Sequence, residues 1–547
     1  WIMVARRKVR TSRRMRISWK RVLPGFSYHV PRMEFLLTSD DIASTRLMVG
    51  LEIHVELATR TKMFSRVENP AHPGRYDEEP NTLVDPVVAA LPGTLPRLNR
   101  EAVEMSVRVG LAIGCEISTH SKWDRKNYSY PDLPKGYQIS QYDLPLCFDG
   151  SVECPSASPT SDGGKRRIGI IRAHLEEDTG KLAHELPGGG DCPGSLLDLN
   201  RAGTPLLEIV TAPDFDCAAD VVTFARELRS ICRFLGVSEG IMQRGHMRFE
   251  PNVNLIIDTK DGHEFRTPIV EVKNLNSFRS LESAIEFEGE RQVQEFLETR
   301  RQMGPGMKET RGWDDQRLVT VLQREKEDAH DYRYFPDPDL IPVELDPAWV
   351  EMTRNSLPEL PMARRRRYVE ELGLSEEAAL AIVEGYEGCR YFEAVTDMLV
   401  AEGMDAAPAA VETAKILLNQ GAQLANEQGV EWHQIGVVPA QMAQVLQLRV
   451  EGRIGPQSVL PLLRLATRED GEIEILAQDH DLLLLRDEGL MEEWIRGAIA
   501  AEPKAAEDVT AGKDAAMGRL LGHVMKVSRG QADAQEVSRL LKDKLRP

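Results

Sequence analysis

Glu52, His54 and Glu56 alternate with Leu51, Ile53, Val55 and Leu57 in the stretch Val49–Leu57. On an extended strand, side chains two residues apart share a face at about 7 Å spacing, so the polar groups form one row and the apolar groups the other. Oxygen and nitrogen donors in such a row suit a hard cation, Mg²⁺ or Mn²⁺. The same pattern also describes an amphipathic edge strand with a solvated polar face. Three further carboxylates stand in apolar company: Glu176 and Glu177 follow Leu175, and Glu208 lies between Leu207 and Ile209. A carboxylate set among apolar neighbours is expected to be partly buried, and it then protonates, pairs with a cation or binds metal. With His54 and His174 added, a shared divalent-metal site and scattered ion pairs are both open readings.

Other polar clusters are candidates for contact with an anion. Asp124–Tyr128 and Tyr130–Gln141 carry cations, amides and phenols, Lys126 among them, as a loop touching a polyanion would; an exposed turn-rich loop is the alternative. Met247–Asn254 and Val272–Arg279 contribute Arg248 and Lys273, and Asp331–Asp339 adds aromatic and Arg side chains able to stack on a base or a terminal adenosine. There is no GxxxxGK[ST] loop and no GxGxxG. The one GxSxG string, Gly236–Gly240, follows a helix where a nucleophile elbow needs a strand, so it reads as a chance match.

The elements that must position these groups follow from periodicity. Ile168–Arg172 and Pro205–Val210 read as strands. Asn99–Ala112 reads as a helix capped by Asn99, and Ala218–Leu235 as an amphipathic helix stopped by Gly236. Phe148–Lys165 and the Gly-rich Pro187–Pro193 read as surface insertions. From about Asp346 the composition turns to helix formers, ending in a helical pair over Ala515–Lys526 and Ala534–Leu545. The fold class expected is α+β, with a mixed α/β domain over 46–340, an all-α domain over 341–400 and an all-α tail over 401–547.

At 547 residues the chain is too long for one core. It has seven cysteines and no CxxC pair, which argues against a zinc ribbon and a disulfide framework. No apolar run approaches a bilayer span. Trp1–Met33 holds ten Lys/Arg and no acid, which leaves −28 on the rest of a chain whose net charge is −18. That basic segment, 1–45, is expected to lie outside the fold, either as a mis-called start with Met33 or Met48 as the true one, or as a transit peptide. Binding of a nucleic acid by so acidic a body needs a local basic patch. Gly512–Pro547 has eight cations against four acids; a solvated helical face is the other reading.

Val49–Leu57, Lys122–Gln141, Gly169–Lys181, Leu197–Val210, Lys273–Arg279 and Asp331–Asp339, in this order, resemble the B subunit of the aspartyl/glutamyl-tRNA amidotransferases. The resemblance runs from about Arg46 to the C-terminus. It implies a cradle-shaped α/β catalytic domain, a helical domain and a helical tail of YqeY type that touches the tRNA elbow. The implied enzyme is a heterotrimer. An amidase A subunit hydrolyses glutamine and passes on ammonia, and a small C subunit wraps the A–B interface. The B subunit uses ATP to phosphorylate the side-chain carboxylate of misacylated Glu-tRNA(Gln) or Asp-tRNA(Asn), and ammonia then displaces phosphate. A non-catalytic tRNA-binding scaffold for the amidase is the alternative, and a free-standing ligase for a free amino acid a third.

Carried over by motif, Glu52, His54, Glu177 and Glu208 match the family's Mg²⁺ ligands. Lys126 is expected to join them in catalysis, and Arg172, Arg248 and Lys273, chosen by charge, to contact the nucleotide or the tRNA end. Where many members carry zinc-binding cysteines, this chain has Ser65-Arg66 and Asp85–Ala89, so no structural zinc is expected. The compartment expected is cytoplasmic, or the mitochondrial matrix if the N-terminus is a transit peptide.

Overall fold

The alternation around Glu52 extends well upstream, so that the strand runs Ile42–Glu56 with Leu51, Ile53 and Val55 buried on one face. The structure is a computed structural model describing residues 2–5, 38–186, 189–305, 307–325, 332–469, 471–485, 488–528 and 530–545. The strand is central rather than an edge, because Pro205–Thr211 pairs antiparallel along one side and Met247–Thr259 along the other. Beyond Pro205–Thr211 come Lys165–Glu177, Cys147–Pro155 and Glu116–Ile117. Beyond Met247–Thr259 come Val270–Lys273, Glu309–Asp314 and Val319–Glu325. Only the Val270–Lys273 and Glu309–Asp314 pair is parallel among the described strands of this sheet. Phe148–Lys165, expected as a surface insertion, is in large part sheet, since Cys147–Pro155 pairs along its length with Lys165–Glu177.

Three helices pack on the apolar face. Arg100–Ala112 starts at Asn99, whose side chain accepts from the Glu101 N–H, and it lies against Cys147, whose thiol donates to Ser106 O at 3.7 Å. Ala218–Phe234 ends before Gly236, which takes φ 64°, the left-handed conformation glycine supplies at a helix end. Phe278–Thr299 sets Phe278 against Phe249, ring centroids 5.9 Å apart. Leu175, Leu207 and Ile209 join Leu51, Ile53 and Val55 under these helices. Each such burial stabilises by about 1.5–3 kcal/mol, enough to hold the register that the other face depends on. A small sheet places Asp124–Asn127 between Tyr137–Ser140 and Phe335–Pro336. Ile2–Ala5, within the segment expected outside the fold, pairs antiparallel with Asp191–Asp198.

The described residues divide into two units, Trp1–Leu360 and Pro361–Pro547. Helix Pro347–Asn355 packs on Arg100–Ala112 and belongs to the first unit. Among the described residues, the named elements of the second unit are all helices. Its final helices, Met517–Val527 and Ala534–Leu545, close with Glu488–Ala501 around Met491, Ile495, Leu520, Val524, Val537 and Leu541. No described helix is long and apolar enough to cross a membrane.

Candidate active site

Neighbouring strands held in register align their polar faces in rows. One row reads Arg248, His54, Glu208, His174; the next reads Glu250, Glu52, Val210, Arg172. On the other side of the first row, Glu56 and Glu176 flank Leu206. At the centre, Glu208 Oε2 lies 3.5 Å from His54 Nε2 and 3.6 Å from His174 Nε2, and Glu176 Oε1 lies 3.8 Å from His54 Nε2. One ligand atom from each of His54, Glu176 and Glu208 falls within 4.8 Å of the other two. Glu176 Oε2, His54 Nδ1 and His174 Nδ1 are buried without a hydrogen-bond partner. Oxygen and imidazole donors converging with unsatisfied buried lone pairs fit a hard divalent cation.

The electrostatics agree with that fit. Burial pushes His54 down, but the Glu208 hydrogen bond and the charges of Glu250 and Glu208 outweigh it and lift the imidazole to about 9. A field that holds a proton there so firmly also favours a cation in the proton's place. Burial drives His174 down to about 4, against the pull of Glu208, so it stays neutral. Burial and then Glu208 push Glu176 up to about 7. Glu208 itself is held well below the usual carboxylate range, since His174 and His54 together overcome its burial.

Lys126 stands over this cluster from the small sheet. Burial disfavours its charge, yet Glu176, and after it Tyr334 and Glu208, raise it overall. Its Nζ is 5.2 Å from the Tyr332 ring centroid and 6.0 Å from that of Tyr128. A fixed ammonium beside the ionised Glu208 is where an incoming phosphate would be met.

The structure separates the expected ligand set. His54 and Glu208 meet as expected, but Glu176, not Glu177, completes the trio. Successive side chains on a strand alternate faces, so His174 and Glu176 share the polar face and Glu177 turns to the other. There Glu177 accepts from Lys135 Nζ and from the Ile139 N–H at 3.1 Å. Glu52 belongs to a second group with Glu250 and Glu271. Asn252 donates to Glu52 at 3.1 Å, and Lys273 bridges Glu250 at 2.7 Å and Glu271 at 3.0 Å. Arg248 is likewise engaged, donating to Asp178 at 2.5 Å. Beside that pair, burial and then Asp178 raise Glu56 to about 8. Arg172 sits in the Glu52 row with a buried, unpaired Nε.

Three groups were absent from the ligand set expected from sequence. Glu176 could have been found by counting the alternation from His174 through the HxEED run. Glu250 and Glu271 become partners of Glu52 only through sheet pairing, which no local pattern reveals. Where the resemblance implied cysteines in place of Ser65-Arg66 and Asp85–Ala89, Ser65 Oγ donates to Asp85 Oδ2 at 2.8 Å and joins the two segments.

Residues 47–351 match the family GatB/GatE catalytic domain, and residues 394–545 match the GatB domain. The chain belongs to the family of aspartyl/glutamyl-tRNA(Asn/Gln) amidotransferase B subunits. The B subunit from Carboxydothermus hydrogenoformans is 41% identical over 498 residues, covering 91% of this chain and 98% of that one. Those of Thermomicrobium roseum, 41% identical over 500 residues, and Moorella thermoacetica, 40% over 501, are similar in extent, covering 98% and 99% of their own lengths and 91% of this chain in each case. The catalytic-domain match includes every residue of the carboxylate–histidine cluster.

Proposed function

We propose that the chain is the subunit of a tRNA-dependent amidotransferase that activates the misacylated amino acid, an ATP-dependent carbon–nitrogen ligase using glutamine as amide donor. The side-chain carboxylate of Glu-tRNA(Gln), Asp-tRNA(Asn) or both attacks the γ-phosphorus of ATP and ADP leaves. Ammonia then attacks the acyl carbon and inorganic phosphate departs, giving Gln-tRNA(Gln) or Asn-tRNA(Asn). The observation that carries this reading is the convergence of His54, Glu176, Glu208 and Lys126 on one sheet face.

Two anions, a carboxylate and a polyphosphate, meet only if their charges are neutralised. His54, Glu176 and Glu208 would hold Mg²⁺, which supplies that neutralisation and a template for in-line geometry. Glu52, with Glu250 and Glu271, forms the adjoining acidic group, and Arg172, whose buried Nε has no partner, is a cation placed to turn toward phosphate. Lys126 stabilises charge developing on the transferred group. Arg248 and Lys273 hold Asp178 and Glu250 in place. The amidase subunit supplies the ammonia, a small C subunit wraps the interface between the two, and the helical tail takes the body of the tRNA. There Arg519, Lys526 and Lys542 are exposed, while Lys513, Arg539 and Lys544 are paired with acids; Arg529 and Arg546 lie outside the described residues.

The test is a single-turnover assay of the assembled complex with γ-labelled ATP and Glu-tRNA(Gln). Label should pass to the aminoacyl group with Mg²⁺ and fail to pass after chelation. Transfer in the absence of any divalent cation would overturn the reading.

A further inference from the structure

The phosphoryl-transfer site leaves unexplained a wall of tyrosines beside Lys126. Tyr128, Tyr130, Tyr142, Tyr332 and Tyr334 come from separate segments, yet their rings form a connected set. Tyr142 stacks on Tyr334 with centroids 4.2 Å apart and planes at 14°, while Tyr332 meets Tyr334 edge-on at 6.2 Å and Tyr128 at 6.0 Å. Tyr142 is 46% exposed and Tyr130 54%, so the outer faces of these rings open to solvent.

Polar side chains fix this wall in place. Asp124, 1% exposed, accepts the Tyr142 N–H at 3.1 Å. Asn127 donates to Arg333 O at 2.7 Å and to Tyr332 O at 3.3 Å. Between Tyr332 and Tyr334, Arg333 takes φ 46°, a left-handed conformation unfavourable for a side chain as large as arginine. Arg125 then anchors the downstream turn through Asp337 at 2.7 Å and Asp339 at 3.1 Å. A strained backbone held by the buried Asp124 and the half-buried Asn127 to present aromatic faces outward is a prepared surface, unlike tyrosines that merely fill space. One end of the wall reaches the chemistry: Lys126 touches Tyr128 and Tyr332, and the charges of Glu176 and Glu208 reach Tyr334.

We propose that this wall seats the adenine base of an adenosine, which extends the Tyr142–Tyr334 stack on the outer face of Tyr142. The inference rests on the phosphoryl-transfer reading, in which ATP and the 3′-terminal adenosine of tRNA must both bring a reacting end to Lys126 and Glu208. Either presents a purine at its other end. Every base has a π-face and stacks on an aromatic ring without needing hydrogen-bond readout, so a wall of rings is the economical recognition element. Removing one such stack weakens binding roughly tenfold or more.

The assembled complex with Tyr142→Leu and with Tyr142→Phe tests this by dissociation constants, measured for AMPPNP and for an acceptor-stem minihelix ending in CCA. Neither measurement needs turnover. Tyr142→Leu is expected to weaken one of the two at least tenfold and Tyr142→Phe to stay within threefold of wild type. Weakening for AMPPNP assigns the seat to the nucleotide, and weakening for the minihelix assigns it to the tRNA end. Both ligands staying within twofold in Tyr142→Leu overturns the proposal, as does a Tyr142→Phe defect equal to that of Tyr142→Leu. Failure of the parent reading shows separately, as absent phosphate transfer in the wild-type complex.

Discussion

Glu208 Oε2 and His54 Nε2 stand 3.5 Å apart on adjacent strands whose register continues unbroken from Leu206↔Glu56 to Val210↔Glu52. The pair is therefore fixed by the sheet rather than by its own attraction. Because Glu208 raises His54 through both a hydrogen bond and its charge, Glu208→Gln should bring the imidazole down from about 9 toward the ordinary 6.5. Histidine-selective ¹⁵N NMR of the metal-free protein measures this. A His54 that still titrates near 9 would mean another group holds its proton.

Glu176 and Glu177 are neighbours in sequence with opposite surroundings. Glu176→Gln removes a ligand atom from the His54 cluster and should weaken Mn²⁺ binding about tenfold or more. Glu177→Gln should leave Mn²⁺ affinity within about twofold, because that side chain answers to Lys135 and the Ile139 N–H. Electron paramagnetic resonance titration of the two variants decides which carboxylate faces the metal. Equal losses would contradict the assignment.

That contrast shows where the sequence is legible. The strand around His54, the Asn99 cap, the helix ending at Gly236 and the final helix Ala534–Leu545 were all readable, because periodicity and capping are local. Glu208 and His54 stood out in the sequence because polar groups inside apolar strands are costly. Matching by motif favoured Glu177 over Glu176, where strict alternation from His174 would have chosen the other. The pairing of Glu52 with Glu250 and Glu271 was not legible, since it depends on which strands become neighbours across some two hundred residues of chain. The hairpin from Cys147 to Glu177 was hidden for a related reason: its polar, glycine-containing outer strand carries little alternation of its own.

Lys62 links stability to pH. Its amine is fully buried, donating to Leu83 O at 2.6 Å and Leu199 O at 3.3 Å, and burial, against the charges of Asp85, Asp198 and Glu177, lowers it from 10.5 to about 7. Between pH 7 and 10.5 the unfolded chain therefore holds a proton that the folded chain releases, so this group makes stability rise with pH across that window. The slope approaches about 1.4 kcal/mol per pH unit. Lys62→Met should flatten the rise in chemical-denaturation midpoint between those limits, whatever it does to stability overall. An unchanged slope would show that Lys62 remains charged in the fold.

Gly114 follows the Arg100–Ala112 helix at φ 71°, and a Cβ added there would lie 2.9 Å from Ser151 O. Both the left-handed backbone and the contact oppose a side chain, so Gly114→Ala should destabilise by more than about 1 kcal/mol. The measurement is the thermal midpoint, expected to fall by several degrees. An unchanged midpoint would mean that the Cys147–Pro155 strand yields at no cost.

The most direct test of the central claim compares two activities in one preparation of the complex carrying Glu208→Ala. Glutamine hydrolysis by the amidase partner reports that the assembly is intact, and transfer of the γ-phosphate of labelled ATP to Glu-tRNA(Gln) reports the chemistry assigned to this sheet face. The account expects hydrolysis near the wild-type rate with phosphate transfer reduced about a hundredfold or more, the loss of a bound charge-stabilising group. Phosphate transfer at the wild-type rate would contradict it.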